Sequence, residues 1–242
     1  MKNLTYIFLK RSLDILVSFV GLTILSPIFI VVIICQLIIY KRNIFFNQKR
    51  VGFKGKIFRV FKFKTMNDKT DKNGHLLPDN QRVTKFGKFL RAFSLDELPQ
   101  LFNILLGQMS VVGPRPQSIE VCLFMNKKQF LRHQIKPGLT GLSAINGRNE
   151  ISWNKKIDLD LEYIIRRTIL LDIKIIIITA FKVILRQNVF SGNNFSAISL
   201  GEELYLGKKI TKEIYDSRFK IIKDVSNKPF LFEENLILTH EN

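Results

Sequence analysis

The chain has 242 residues, 46% of them hydrophobic and 21 of them phenylalanine, ample material for the core of one domain of ordinary size. Lysine and arginine total 38 against 20 carboxylates, and the formal charge of +18 calls for an anionic partner: nucleic acid, an anionic lipid surface or a phosphorylated small molecule. The two cysteines, Cys35 and Cys122, lack metal-ligand spacing and Cys35 sits in an apolar run. This excludes a disulfide framework and fits two buried thiols beside a reducing cytosol.

Residues 13–40, LDILVSFVGLTILSPIFIVVIICQLIIY, form the most apolar stretch, with Asp14 its one charged residue. The run is too long for a signal peptide and has no small-residue cleavage site. As one straight helix it measures ~42 Å, against a hydrocarbon core of roughly 30 Å. Ser26-Pro27 lies in its middle, and proline removes a backbone donor and clashes with the preceding turn. Each half is then ~20 Å long, too short to span alone. Lys10-Arg11 precede the run and Lys41-Arg42 follow it, so the positive-inside bias keeps both ends on one side. A re-entrant helix that enters the leaflet, bends at Ser26-Pro27 and returns meets all three facts; a kinked single span is the alternative. Both place the protein on a membrane.

Residues 44–66 alternate aromatic or aliphatic residues with basic ones, Gly52 and Gly55 punctuate them, and IFRVFKF has the period of a strand. Such alternation suits nucleic acid or anionic headgroups, and the neighbouring anchor favours headgroups. Residues 67–82 are polar and read as a surface loop. Phe86, Phe89, Leu90 and Phe93 then recur on one helix face, with Lys85, Lys88 and Arg91 elsewhere, the pattern of an interfacial amphipathic helix; a core helix has similar spacing. In 169–185, Asp172, Lys174 and Lys182 interrupt the apolar residues, so the segment is expected to pack in the fold or lie at the interface. The chain from about Gly207 is polar, with no interpretable motif.

Ser94-Leu95-Asp96-Glu97 fits a capping box, although Pro99 disturbs that register and a helix starting at Asp96 accommodates it better. Either register puts two carboxylates at a helix's positive end, where acids are favoured for stability alone. Three neighbours point to chemistry. Arg91 lies about a turn upstream. Arg115 stands between Pro114 and Pro116 on a stiff backbone suited to bidentate phosphate recognition. KPGLTGLSAINGRN combines turn glycines, suited to close backbone approach to a phosphate, with Arg148. A carboxylate among phosphate-binding cations describes phosphoryl transfer through an aspartyl nucleophile.

On these residues the chain resembles the bacterial sugar transferases, the monotopic polyprenyl-phosphate phosphoglycosyltransferases. The matching pieces are KRSLD (10–14), SP (26–27), FNQKRVGFKGKIF (46–58), KFKTM (62–66), RVTKFGKFLRAFSLDELPQLFNILLGQMSVVGPRP (82–116), RH (132–133) and PGLTGLSAINGRN (137–149). The resemblance covers about residues 1–206 and implies an α/β, mostly helical fold. It divides the chain into a re-entrant membrane helix over 1–43, a catalytic domain at the membrane surface over 44–206 and an extension over 207–242. It implies transfer of a sugar 1-phosphate from a UDP-sugar, with an N-acetylated amino sugar expected, to undecaprenyl phosphate, releasing UMP. The setting it implies is the cytoplasmic face of the bacterial inner membrane, against anionic lipid, with no nucleic acid. By that match Asp96 is the nucleophile and the ligand of Mg2+, and Glu97 is a metal or general-base partner. Lys62, Arg91, Arg115 and Arg148 hold phosphate groups. The chain departs from the family at Gln108, where aspartate is frequent, and at Leu142 and Ala144, where tryptophan and glutamine are frequent. The competing reading is a non-catalytic basic protein binding membrane or nucleic acid, which has no use for Asp96.

Overall fold

A computed structural model describes residues 4–147, 151–185 and 199–225. The apolar run folds as two helices, α1 (Leu4–Ile24) and α2 (Ser26–Tyr40), bent by 63° at their junction. Pro27 falls in the first turn of α2, where its missing N–H costs nothing, and the Ser26 hydroxyl donates to the Thr23 carbonyl at 2.8 Å. Among the described residues no single helix is long and apolar enough to cross a membrane, whereas the bent pair is by length and composition. Lys10 and Arg11 lie inside α1 instead of ahead of it, because the helix starts upstream of the apolar run.

A polar domain follows. Strands β1 (Phe45–Val51) and β2 (Ile57–Phe63) form an antiparallel hairpin in register from Phe45 opposite Phe63 to Val51 opposite Ile57. Polar residues 67–82 hold a bridge between Thr70 and Leu76 and end in the short α3 (Asp79–Arg82). Helix α4 (Lys85–Ala92) is capped by the Thr84 hydroxyl, which accepts from Gly87 N–H at 2.9 Å. A 3-10 turn over Leu95–Glu97 leads into α5 (Gln100–Leu105). Next come β3 (Ser110–Val112), α6 (Ile119–Leu123), α7 (Lys127–Phe130) and β4 (Gly138–Thr140), which pairs in parallel with β3. Helices α8 (Leu142–Ile145), α9 (Trp153–Arg166), α10 (Ile169–Ile184), α11 (Leu200–Leu206) and α12 (Lys212–Val225) complete a mostly helical α/β fold.

Three apolar clusters fix the parts. Phe63 and Leu90 pack with Val32 of α2, which ties the hairpin and α4 to the bent helix pair. Leu101, Ile104, Met109, Val112, Tyr163 and Ile175 join α5, β3, α9 and α10. Val51, Phe124, Ile157 and Leu200 form the third, where Tyr215 and Phe219 of α12 lie 5.6 and 6.1 Å from the Phe124 ring. The face of α4 is divided: Leu90 is buried and Phe89 exposed. Helix α10 likewise buries Asp172 and Ile175 and exposes Leu170, Ile177, Phe181 and Ile184.

Candidate active site

Neither expected helix start is what forms around the carboxylate pair. Ser94 adopts left-handed φ and ψ of 53° and 21° with no side-chain cap, and α5 begins only after Pro99. Pro99 cannot donate into a preceding turn, so the chain makes one 3-10 turn and restarts. The turn buries both Asp96 and Glu97 at its own residues. They line a cavity of about 630 Å³ together with Arg50, Lys62, Thr65, Arg82, Arg91 and Arg115.

Each cation is placed by a different element. Lys62 stands near the end of β2 and its ammonium lies 2.8 Å from Glu97 Oε1. Arg115 approaches the same oxygen at 2.6 Å from the Pro114–Pro116 segment. Arg91, in the last turn of α4, donates through Nε to the Thr65 hydroxyl at 2.9 Å. Burial pushes the Lys62 pKa down and Glu97 opposes it, while Glu97, against the cost of burial, raises that of Arg115. Asp96 acts on both cations in the same direction as Glu97. Glu97 thus serves as the counter-ion that holds two cations facing the cavity.

Behind the cavity wall, two polar clusters fix the segments. Asn103 of α5 completes the edge of β2: its Oδ1 accepts from Phe61 N–H at 3.0 Å and its Nδ2 donates to the Arg59 carbonyl at 2.8 Å. Gln108 Oε1 accepts from the same amide at 2.7 Å. Arg132 is buried, donates to the Arg115 carbonyl at 2.8 Å and pairs with Asp160, which also accepts from Ser143 at 2.8 Å. This joins Arg115 to α9 and α8.

The sequence placed Asp96, Glu97, Lys62, Arg91 and Arg115 at one site, and all five line the one cavity. Arg148 lies outside the described residues. The glycines of KPGLTG have another use than phosphate approach. A Cβ on Gly138 would lie 2.1 Å from Gly113 N, and one on Gly141 would lie 2.2 Å from Gly113 O. The two backbones cross at van der Waals distance, which only glycine permits. Gln108, Leu142 and Ala144 are not among the cavity residues. Sequence reading missed Arg50, Gln48 and Arg82. The signal existed, because Phe46, Gln48 and Arg50 alternate along β1 and Phe46 pairs with Lys62.

Among the described residues no group of three or more histidine, cysteine or acidic side chains forms a metal cage. Magnesium asks for less: one or two carboxylates, with water and substrate phosphates completing the octahedron. Asp96 and Glu97, adjacent on one turn and both lining the cavity, supply carboxylates in that number.

The family model for bacterial sugar transferases matches residues 5–186. The chain is 42% identical over 189 residues to an uncharacterized sugar transferase, EpsL, of Bacillus subtilis, covering 78% of this chain and 94% of that one. It is 44% identical over 191 residues to the UDP-glucose:undecaprenyl-phosphate glucose-1-phosphate transferase of Klebsiella pneumoniae, covering 75% of this chain and 41% of the relative. Over 195 residues it is 40% identical to the galactosyl transferase CpsE of Streptococcus agalactiae, covering 75% and 43%. The chain therefore spans about two fifths of the length of these last two relatives.

Proposed function

The chain belongs to the bacterial sugar transferase family, a family of sugar-phosphate transferases, and from that premise we propose that it moves a sugar 1-phosphate from a UDP-sugar to undecaprenyl phosphate through a phosphosugar carried on Asp96. The observation that carries the reading is a buried aspartate in a cavity that Lys62, Arg91 and Arg115 also line. A carboxylate can approach a diphosphate only where fixed cations offset the repulsion, and that is the arrangement here. A protein that merely bound lipid or nucleic acid would have no need to bury this acid.

The Asp96 carboxylate attacks the phosphorus bearing the sugar. The bond from that phosphorus to the bridging oxygen breaks, and UMP leaves with the electron pair. A phosphate oxygen of undecaprenyl phosphate then attacks the same phosphorus, the acyl-phosphate bond breaks, and Asp96 is restored. Lys62, Arg91, Arg115 and, by family match, Arg148 hold phosphate oxygens. Glu97 keeps Lys62 and Arg115 aimed at them and takes the proton of an incoming phosphate that still carries one. Magnesium bound at Asp96 would supply neutralisation of the diphosphate and of the departing UMP.

The bent α1–α2 pair supports a re-entrant anchor, with the polar domain on the cytoplasmic face and resting on anionic lipid. The reaction would be the first membrane step of glycan assembly. Relatives are named for glucose and galactosyl transfer, so those two UDP-sugars head the donor panel, with UDP-N-acetylated amino sugars beside them. The test is UMP release in nanodiscs with Mg2+, undecaprenyl phosphate and that panel. Release with one donor by wild type and none by Asp96→Asn is expected. Equal release by both would remove Asp96 as nucleophile.

A further inference from the structure

We propose that Arg50 is a further substrate-binding residue, a guanidinium that holds the diphosphate of the nucleotide donor at the end of the cavity farthest from the membrane-directed helices. The inference rests on the donor-transfer reading above. Three observations carry it.

The hairpin has a membrane end and a distal end. At one end Phe45 stacks on Phe63 at 5.5 Å, and Phe63 packs on Phe29 of α2 at 5.0 Å. At the other end Val51 belongs to the cluster of α6, α9, α11 and α12, which takes no residue from α1 or α2. Strand geometry puts Arg50 ~13 Å beyond Phe46, at about 3.3 Å per residue.

Alternation along β1 turns Phe46, Gln48 and Arg50 toward the cavity, so the part of the wall that β1 supplies runs from an aromatic ring, opposite Lys62, to a guanidinium at the distal end. An acceptor anchored in the bilayer arrives at the first end. A water-soluble nucleotide is free to use the second.

Among the described residues Arg50 has no carboxylate of its own. Its guanidinium donates to the Gln48 amide oxygen, and the carboxylate that acts on it, Glu97, already serves Lys62 and Arg115. Burial, with Arg115 nearby, pushes the Arg50 pKa down to about 10. Arg50, Lys62 and Arg115 against Asp96 and Glu97 leave three cations for two carboxylates, a cationic surplus in a partly dry site, where charge is costly unless paired. A dianionic diphosphate supplies the missing partner and matches the planar fork of arginine.

The experiment uses the full chain in nanodiscs with Arg50→Gln and Arg50→Lys. Equilibrium binding of UDP, which needs no turnover, is measured beside kcat/KM for the UDP-sugar and for undecaprenyl phosphate separately. Arg50→Gln should weaken UDP binding and lower kcat/KM for the donor by about 10- to 100-fold, the loss of one or two charge-assisted hydrogen bonds. The value for the lipid acceptor should stay at wild type, and Arg50→Lys should recover part of the loss. If Arg50→Gln does not fold, Arg50→Lys carries the test, with weakened UDP binding expected at an unchanged melting temperature. Wild-type UDP affinity in the folded variant overturns the proposal. So does a loss confined to the acceptor, or an equal loss for both substrates, which a purely structural role would give. Wild-type protein that binds UDP through Arg50 but releases no UMP would remove the transfer reading and leave the site.

Discussion

Glu97 Oε1 receives Lys62 at 2.8 Å and Arg115 at 2.6 Å, so three side chains behave as one charge cluster. Burial lowers the Lys62 pKa and Glu97 holds it up. Glu97→Gln removes the opposing influence, so Lys62 must lose its proton at lower pH. The alkaline limb of the pH profile of kcat/KM should therefore shift downward in Glu97→Gln; an unmoved limb would mean that Lys62 does not set it. His133 gives a second pH effect, on stability. Burial and Arg132 push its pKa from 6.5 to about 3. Below pH 6.5 the unfolded chain binds a proton that the folded chain refuses, so stability falls as pH drops toward 3, by about 1.4 kcal/mol per pH unit. His133→Gln should flatten that slope in denaturant titrations between neutral pH and the onset of acid unfolding; an unchanged slope would assign it to other groups.

Between elements, the fit of α4 against the end of the hairpin governs where Arg91 points. A Cβ on Gly87 would lie 2.0 Å from the Thr65 carbonyl oxygen, while Arg91 bonds the Thr65 hydroxyl at 2.9 Å. Gly87→Ala must push α4 away from Thr65. The expected cost is about 1–3 kcal/mol with a fall in UMP release, read from the melting temperature and the turnover rate. Wild-type values for both would show that the contact is slack. This scale also separates what the sequence could disclose from what it could not. The Ser26-Pro27 break, the β2 strand and the presence of a helix at α4 follow from neighbours within a turn or two and were legible, whereas the division of the α4 face into buried Leu90 and exposed Phe89 was not. The register around Ser94 was not, because local rules offered two helix starts and the chain took a left-handed residue and a 3-10 turn. The crossing of Gly113 with Gly138 and Gly141 was equally hidden, as was the Arg132–Asp160 pair behind Arg115, since each depends on partners distant in the chain. Arg50 was legible in principle, through its register in the hairpin, yet Lys49 and Arg50 side by side look like undifferentiated basic sequence.

For the whole molecule, the proposed reaction depends on the link between the bent helix pair and the polar domain, which would set whether the cavity meets a lipid-borne phosphate. Lys10 lies 2.8 Å from buried Asp172 of α10 and donates to the Val112 carbonyl at 2.9 Å. Arg11 donates to the carbonyls of Ile104 and Leu105 at 2.6 and 2.8 Å, and Asp14 accepts from Ser110 and Val111, both at 2.9 Å. These contacts bolt the start of α1 onto β3, α5 and α10. Removing the carboxylate of that ion pair with Asp172→Ala should cost about 3–5 kcal/mol, seen as a lower melting temperature in detergent. A value equal to wild type would show that the bolt is redundant. The central claim is that Asp96 carries the sugar phosphate between two substrates that need never meet. The most direct measurement is the intact mass of the protein after incubation with Mg2+ and the UDP-sugar in the absence of undecaprenyl phosphate. The account predicts a gain of one sugar phosphate on wild type, none on Asp96→Asn, and loss of the adduct when undecaprenyl phosphate is added. An adduct of equal yield on Asp96→Asn, or UMP released only when both substrates are present together, would contradict it.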